Sequence, residues 1–198
     1  MRLDQPKLSV IIPIHEMRGG ENFLWATINR LTEQSFQDFE IIIKKDGKMA
    51  ENTNSCIKAA RGEIIKILYL DDCLAHPTAL EDMIGSFRED TEWLITGCDT
   101  NPNPYYTGDI HTGNNKLGSP SCLMFRNHFE NNLLFDENMS WLLDCDYYKR
   151  MYNRYGEPVI IPRVNVIIGV GEHQMTNILT DQEKKGEEDY LLTKQPTF

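Results

Sequence analysis

Arg61-Gly62-Glu63-Ile64-Ile65-Lys66-Ile67-Leu68-Tyr69-Leu70-Asp71-Asp72-Cys73 is the stretch that orders the rest of the chain. An apolar, β-branched run ends abruptly in two adjacent carboxylates. It reads as a buried strand that carries Asp71 and Asp72 to its carboxyl end, where open α/β sheets bind ligands. Neighbouring carboxylates repel unless a cation, hydrogen-bond donors or water compensate, and hard oxygen ligands suit Mg²⁺ or Mn²⁺. Asp-Asp is also a common turn dipeptide, so a solvated acidic turn is the plain alternative.

Upstream, Leu8-Ser9-Val10-Ile11-Ile12-Pro13 is too apolar on both faces for a half-exposed strand and predicts a central strand of a parallel sheet. A loop with His15, Glu16 and Gly19-Gly20 follows, then a helix over Glu21 to Gln34 with Leu24, Ile28 and Leu31 at helical spacing. Phe39 to Lys45 is a second strand, ending at the turn signal Asp46-Gly47 on the same sheet edge as the acidic pair. Asn52 to Ala60 is a helix with Cys56, Ile57 and Ala60 inward. Strands alternating with helices predict an α/β fold, a Rossmann-like, mostly parallel sheet flanked by helices.

Downstream, Thr78-x-x-Glu81 reads as a capping box for a helix carrying Leu80, Met83, Ile84 and Phe87. Trp93 to Cys98 is a fourth strand. From Asp99 to Pro120 no apolar period survives, and a loop of that length is usually functional or disordered. Its Tyr105-Tyr106 pair suits stacking on a sugar ring or simple packing. Ser121 to Arg126 reads as a strand. A helix from Trp141 to Tyr155, with Ser140 as N-cap and Gly156 as its stop, puts Trp141, Cys145, Tyr148, Tyr152 and Tyr155 on one stripe. Asp144 lies beside that stripe, where aromatic neighbours would desolvate it and raise its pKa, as suits a proton acceptor. A helix-dipole partner is the ordinary role for such a residue. Asp146 points elsewhere and reads as structural. Val159 to Ile168 is a strand interrupted by Pro162, His173 sits in the next loop, and the charged tail from Thr180 is helical with a break at Gly186.

The chain has 198 residues, enough for one domain with a real core. A net charge of −10 without a dense Lys/Arg cluster argues against nucleic acid as the partner. It also means that an anionic ligand needs a cation beside it. No apolar run approaches a membrane span and the N-terminus lacks a signal-peptide core, which predicts a soluble, cytoplasmic protein. Five scattered cysteines without Cys-x-x-Cys spacing read as reduced thiols.

With these pieces in order, Leu8 to Thr176 resembles a family 2 glycosyltransferase of the GT-A fold. Leu8 to Ile14 matches the opening strand. Gln34-Ser35-Phe36, then Phe39-Glu40-Ile41-Ile42-Ile43, matches the run into the second strand. Ala60-Arg61-Gly62-Glu63-Ile64 and Leu70-Asp71-Asp72 match the approach to the metal-binding acidic motif. Phe135-Asp136-Glu137, then Asp144-Cys145-Asp146-Tyr147-Tyr148-Lys149-Arg150, resembles the late acidic helix. The chain departs from the pattern in three places. Lys44-Lys45-Asp46-Gly47-Lys48 keeps only the second Asp of the usual Val-Asp-Asp-Gly-Ser, the acidic motif is shortened, and Leu143 stands where a Glu precedes the late Asp.

The resemblance implies inverting sugar transfer from a nucleotide diphosphate sugar, a UDP-sugar favoured, to a hydroxyl of a glycan or other acceptor. It implies Asp144 as general base, Mn²⁺ or Mg²⁺ on Asp72, Asp71 toward the ribose or in support of the metal, and Asp46 with Pro13 to His15 facing the base. His173 would reach the diphosphate or metal, or order its own loop. Arg150 is assigned to structure, paired with a carboxylate on its own helix. Two further classes remain open: a nucleotidyltransferase of related architecture, for which Met17-Arg18-Gly19-Gly20 is a thin phosphate loop, and a non-catalytic relic that grips a sugar nucleotide or glycan.

Overall fold

The computed structural model describes residues 5–14, 20–45, 47–171 and 174–194. Along the chain run β1 (Leu8–Pro13), α1 (Gly20–Thr32), β2 (Phe39–Lys44), α2 (Met49–Ala59), β3 (Ile64–Ile67), β4 (Cys73–Leu74), α3 (Ala79–Ser86) and β5 (Trp93–Cys98). After a long connection come β6 (Leu123–Arg126), α4 (Leu143–Tyr155), β7 (Val159–Ile167), α5 (Met175–Ile178) and α6 (Asp181–Thr193). The strands form one seven-stranded sheet in the order β2-β1-β3-β6-β5-β7-β4.

β1 lies between β2 and β3, parallel to both, and is buried along its whole length, as its two-sided apolar sequence requires. Its side chains alternate between two cores. Leu8, Val10 and Ile12 pack with Leu31, Leu80 and Met83 on the α1 and α3 face. Ile11 packs with Cys56, Ile57 and Tyr147 on the α2 and α4 face.

The sheet is mixed. β6 runs antiparallel to both β3 and β5, while β5 pairs in parallel with β7 and the short β4 pairs antiparallel to β7. Strand length and hydrophobicity identify β6 but carry no information on its direction, which the connection before it sets.

Several local expectations change. β3 stops at Ile67, although the Leu68 N–H still donates to Ile11 O at 3.0 Å. Asp71 and Asp72 therefore sit in a tight turn beyond the strand, closed by Asp72 N–H on Tyr69 O at 3.0 Å. The Thr78 capping box does not form, because Glu81 instead accepts from Ser35 Oγ at 2.6 Å. Pro162 bends β7 without ending it: Thr96 pairs with Ile161 and Gly97 with Val164, so the proline is accommodated in a bulge. Gly186 lies inside α6 without breaking it, and Thr180 with Glu183 caps that helix as a capping box. Cys73, Cys98, Cys122 and Cys145 are free thiols.

α6 is bolted to α4 by charge. Lys194 Nζ reaches Asp136 at 2.6 Å and Asp146 at 2.7 Å, and Asp146 also holds Arg150 at 2.7 Å. Asp146 and Arg150 are thus structural. Burial pushes the Asp136 carboxyl up, but hydrogen bonds from Lys194, the Asn138 N–H and Tyr190 outweigh it and leave the group well below the usual range.

Candidate active site

The connection after β3, the start of α4, the two residues just past β7 and the start of α5 line a cavity of about 490 Å³. Its lining includes Lys48, Tyr69, Asp71, Asp72, Ser119, Trp141, Asp144, Gly169 and Thr176. Asp71 and Asp72 come from one part of the chain and Asp144 from a helix seventy residues later, yet all three reach the same space. Against these carboxylates the described lining offers one basic side chain, the exposed Lys48.

Asp72 is 3 % exposed. One oxygen accepts from Gly169 N–H at 2.8 Å and the other from Ser119 Oγ at 3.3 Å. Gly169 must be glycine for that approach, since a Cβ there would collide with the backbone of Asp71. Burial, and secondly the Asp71 charge, push the Asp72 carboxyl up to about 7 despite hydrogen bonds from Ser121, Gly169 and Ser119. The described donors therefore undercompensate the charge.

Beneath it lies a residue that the sequence pattern hides. Lys66, at a strand position otherwise apolar, is fully buried and donates to Ile67 O at 2.8 Å and to Ser121 O. Burial lowers its ammonium to about 8, opposed by nearby Cys122 and Asp72. Ser121 further accepts from Tyr69 N–H at 2.8 Å, tying the acidic turn to the segment before β6.

Asp144 stands in the first turn of α4, partly exposed to the cavity. Its Oδ1 accepts from Cys145 N–H at 2.8 Å and its Oδ2 from Asn115 Nδ2 at 2.7 Å. Burial raises its carboxyl above the usual range, opposed by hydrogen bonds from the Cys145 N–H, Asn115, the Cys145 thiol and the Asp144 backbone. Trp141 lines the cavity beside it, its indole N–H donating to Thr176 Oγ1 at 3.1 Å and its ring covered by Lys184 Nζ at 5.7 Å from the centroid.

The N-cap of α4 is Leu142, not Ser140, and it brings no capping side chain. Glu187 of α6 supplies the missing acceptor: its carboxylate takes the N–H groups of Ser140, Trp141 and Leu142 at 2.8, 2.8 and 2.9 Å. Glu187→Ala strands three amide donors at the helix that carries Asp144. It is expected to lower stability by about 1–2 kcal/mol, the upper range for a lost cap, read as a drop in Tm.

Asp71, Asp72 and Asp144 thus share one cavity. Pro13 ends β1 buried and does not line it. His15, Asp46 and His173 lie outside the described residues. Asn52 ties together the described residues flanking His15 and Asp46: its Nδ2 donates to Ile14 O at 2.5 Å and Gly47 O at 2.7 Å, and its Oδ1 accepts from Gly47 N–H at 2.7 Å. Tyr105 and Tyr106 are not in the cavity lining; Tyr106 stacks on Tyr152 at 4.0 Å, so packing is its role. Nothing in the sequence singles out Asn115, Ser119, Ser121, Asn52 or Glu187, since a polar residue's distant partner leaves no periodic signal, whether it lies in a connection or on a helix such as α2 or α6.

No family model matches the chain, and no curated protein does. Solved structures do. TarS residues 1–349 of S. aureus, in complex with UDP-GlcNAc, superposes with a TM-score of 0.73 at 17 % identity, over 94 % of this chain and 65 % of that one. A longer S. aureus TarS structure gives 0.65 at 16 % identity, over 94 % of this chain and 42 % of that one. The mannosyltransferase PcManGT of Pyrobaculum calidifontis, in complex with GDP-Man and Mn²⁺, gives 0.65 at 12 % identity, over 86 % of this chain and 59 % of that one. The fold is that of the GT-A glycosyltransferases, and this chain spans roughly two fifths to two thirds of the length of these neighbours. Among the described residues no helix is long and apolar enough to cross a membrane.

Proposed function

We propose that the chain is an inverting, metal-dependent glycosyltransferase of the family 2 kind. It would move a sugar from a nucleotide diphosphate sugar, a UDP-sugar first, to a hydroxyl of a glycan or similar acceptor. The observation that carries this reading is the meeting of Asp71 and Asp72 with Asp144 in one cavity on a GT-A scaffold. The neighbours' complexes with UDP-GlcNAc and with GDP-Man and Mn²⁺ support the donor class and the cation.

The residues present fit a divalent cation. Asp71 and Asp72 are hard oxygen donors at the cavity wall, the buried Asp72 charge is undercompensated, and Mg²⁺ or Mn²⁺ needs only one or two carboxylates when substrate phosphates complete its shell. Among the described residues no cluster of three metal-ligating side chains exists, so the cation would depend on the donor as well as on the protein. When bound, it supplies Lewis-acid stabilisation of the charge gathering on the departing diphosphate.

The protein's own groups do the rest. Lys48 adds a positive charge to the cavity wall, where it would favour an anionic donor. Asp144 takes the proton of the acceptor hydroxyl as that oxygen attacks the anomeric carbon, and burial keeps it a stronger base than a solvated carboxylate. Trp141, Leu143 and Met175 form apolar wall beside it and limit water that would otherwise compete as acceptor.

A thermal-shift panel tests the donor. UDP-GlcNAc, other UDP-sugars and GDP-mannose are each added with and without Mn²⁺. A ligand at a hundred times its Kd stabilises the folded state by about 2.7 kcal/mol, a rise of roughly 5–10 °C for a domain of this size. At least one donor is expected to raise Tm with Mn²⁺ and to lose most of the effect without it. A panel in which no nucleotide sugar moves Tm under either condition rejects the reading.

A further inference from the structure

We propose that Asn115 is the positioning residue for Asp144: its amide fixes the carboxylate so that it meets the acceptor oriented and ionised. This rests on the assignment of Asp144 as proton acceptor.

Asn115 lies near the end of the long 99–120 connection, between two residues of left-handed backbone, Gly113 at φ 89° and Gly118 at φ 97°. The side chain uses every polar atom. Its Oδ1 accepts from Leu117 N–H at 2.8 Å and Gly118 N–H at 3.1 Å, folding the turn back on itself. Its Nδ2 donates to Gly118 O at 3.0 Å and to Asp144 Oδ2 at 2.7 Å. An amide flip would set Oδ1 against the Asp144 carboxylate and Nδ2 against two N–H groups, so the turn itself enforces which end of the amide faces the acid.

The turn is also fixed to α4. Tyr148 donates its hydroxyl to Gly118 O at 3.2 Å, one helical turn beyond Asp144. Asn115 and Cys145 N–H thus each donate to one oxygen of the carboxylate, with the Cys145 thiol and the Asp144 backbone as further donors. Donors to the ionised form offset part of the cost of burying it, and a donor held by its own turn pays no ordering entropy when substrate arrives. The other titratable groups around Asp144 are Asp71, Asp72 and Lys48 in the cavity, Tyr69 from the acidic turn, and Cys145 and Tyr148 on its own helix. Most of these are acids or groups neutral at pH 7, which leaves Asn115 as a principal side-chain donor to the charge.

The test is a ¹³C NMR titration of the Asp144 carboxyl in the full chain, its signal assigned by its loss in Asp144→Asn. Asn115→Ser keeps an acceptor for the Leu117 and Gly118 N–H groups but loses the Nδ2 donor. It is expected to raise the Asp144 midpoint by about one pH unit, a tenfold loss of acidity. Asn115→Asp, which opposes two carboxylates, is expected to raise it further. Asn114→Ala, one residue away and bonded to Asp109, is the control and leaves the midpoint in place. A residue that merely braced the loop would lower Tm without moving the titration. Folded Asn115→Ser protein that titrates Asp144 as wild type does overturns the proposal; should Asn115→Asp not fold, Asn115→Ser still decides. Failure of the base assignment is read separately, as sugar release from UDP-GlcNAc with Mn²⁺ that survives Asp144→Asn.

Discussion

Asp144→Asn is expected to lower turnover by about 10²–10⁴, the usual contribution of a general base, while donor affinity stays within about twofold. Kinetics of nucleotide release and calorimetry of donor binding read the two quantities apart. A loss of affinity with turnover preserved would make Asp144 a binding group and not the base. The substitution also has a structural cost. The introduced amide would place an NH₂ against either Asn115 Nδ2 or Cys145 N–H, both of which now donate to the carboxylate at 2.7 and 2.8 Å. One lost hydrogen bond and one stranded donor amount to about 1–3 kcal/mol. The double variant Asp144→Asn with Asn115→Asp exchanges donor and acceptor across the same contact. It is expected to recover part of the stability and none of the activity, which separates the structural from the chemical role of the carboxylate.

Asp72→Asn is expected to move stability and activity in opposite directions. The Asp72 carboxyl is raised, chiefly by burial, to about 7, so its folded state holds the proton more tightly than the unfolded chain does. The stability this contributes is complete below about pH 4, the unfolded pKa, and is lost as pH rises through about 7. About three units at roughly 1.4 kcal/mol each gives on the order of 4 kcal/mol. Without metal, wild-type Tm should therefore fall between pH 5 and pH 8 by several degrees more than that of Asp72→Asn, and at pH 8 the variant should be the more stable protein. Mn²⁺ with nucleotide should restore wild type at pH 8 and leave the variant unchanged, and the variant's turnover should be lost. Equal pH dependence in the two proteins would remove the picture of a buried, undercompensated charge.

What could be read from the sequence is what has a period. Leu8 to Pro13 declares a strand buried on both faces, and the structure seats it between two parallel neighbours with its side chains divided between both cores. The Trp141 to Tyr155 stripe likewise predicts the helix that brings Asp144 to the cavity, with the start shifted to Leu143. Direction and distant partners have no such signature. Nothing in Leu123 to Arg126 says that the strand runs against its neighbours. Glu187 lies 45 residues beyond the helix start it caps, and Asn115 lies 29 residues before the carboxylate it holds. The Thr78 capping box failed for the same reason in reverse: its Glu81 found a tertiary partner in Ser35. At the site, two-residue patterns located the acids, but only the folded turn explains why Asp72 is the buried one, since Gly169 closes over it from just past the end of β7.

For the proposed sugar transfer, Asp71 and Asp72 must hold a divalent cation that seats a nucleotide diphosphate in the cavity with Asp144. Anomalous diffraction from crystals grown with Mn²⁺ and UDP is the decisive measurement. The expected manganese peak lies about 2.1 Å from a carboxylate oxygen of Asp71 or Asp72, with the diphosphate as its other ligand inside the cavity lined by Trp141 and Asp144. Manganese and nucleotide bound together away from both aspartates, or crystals that take up neither, would contradict it.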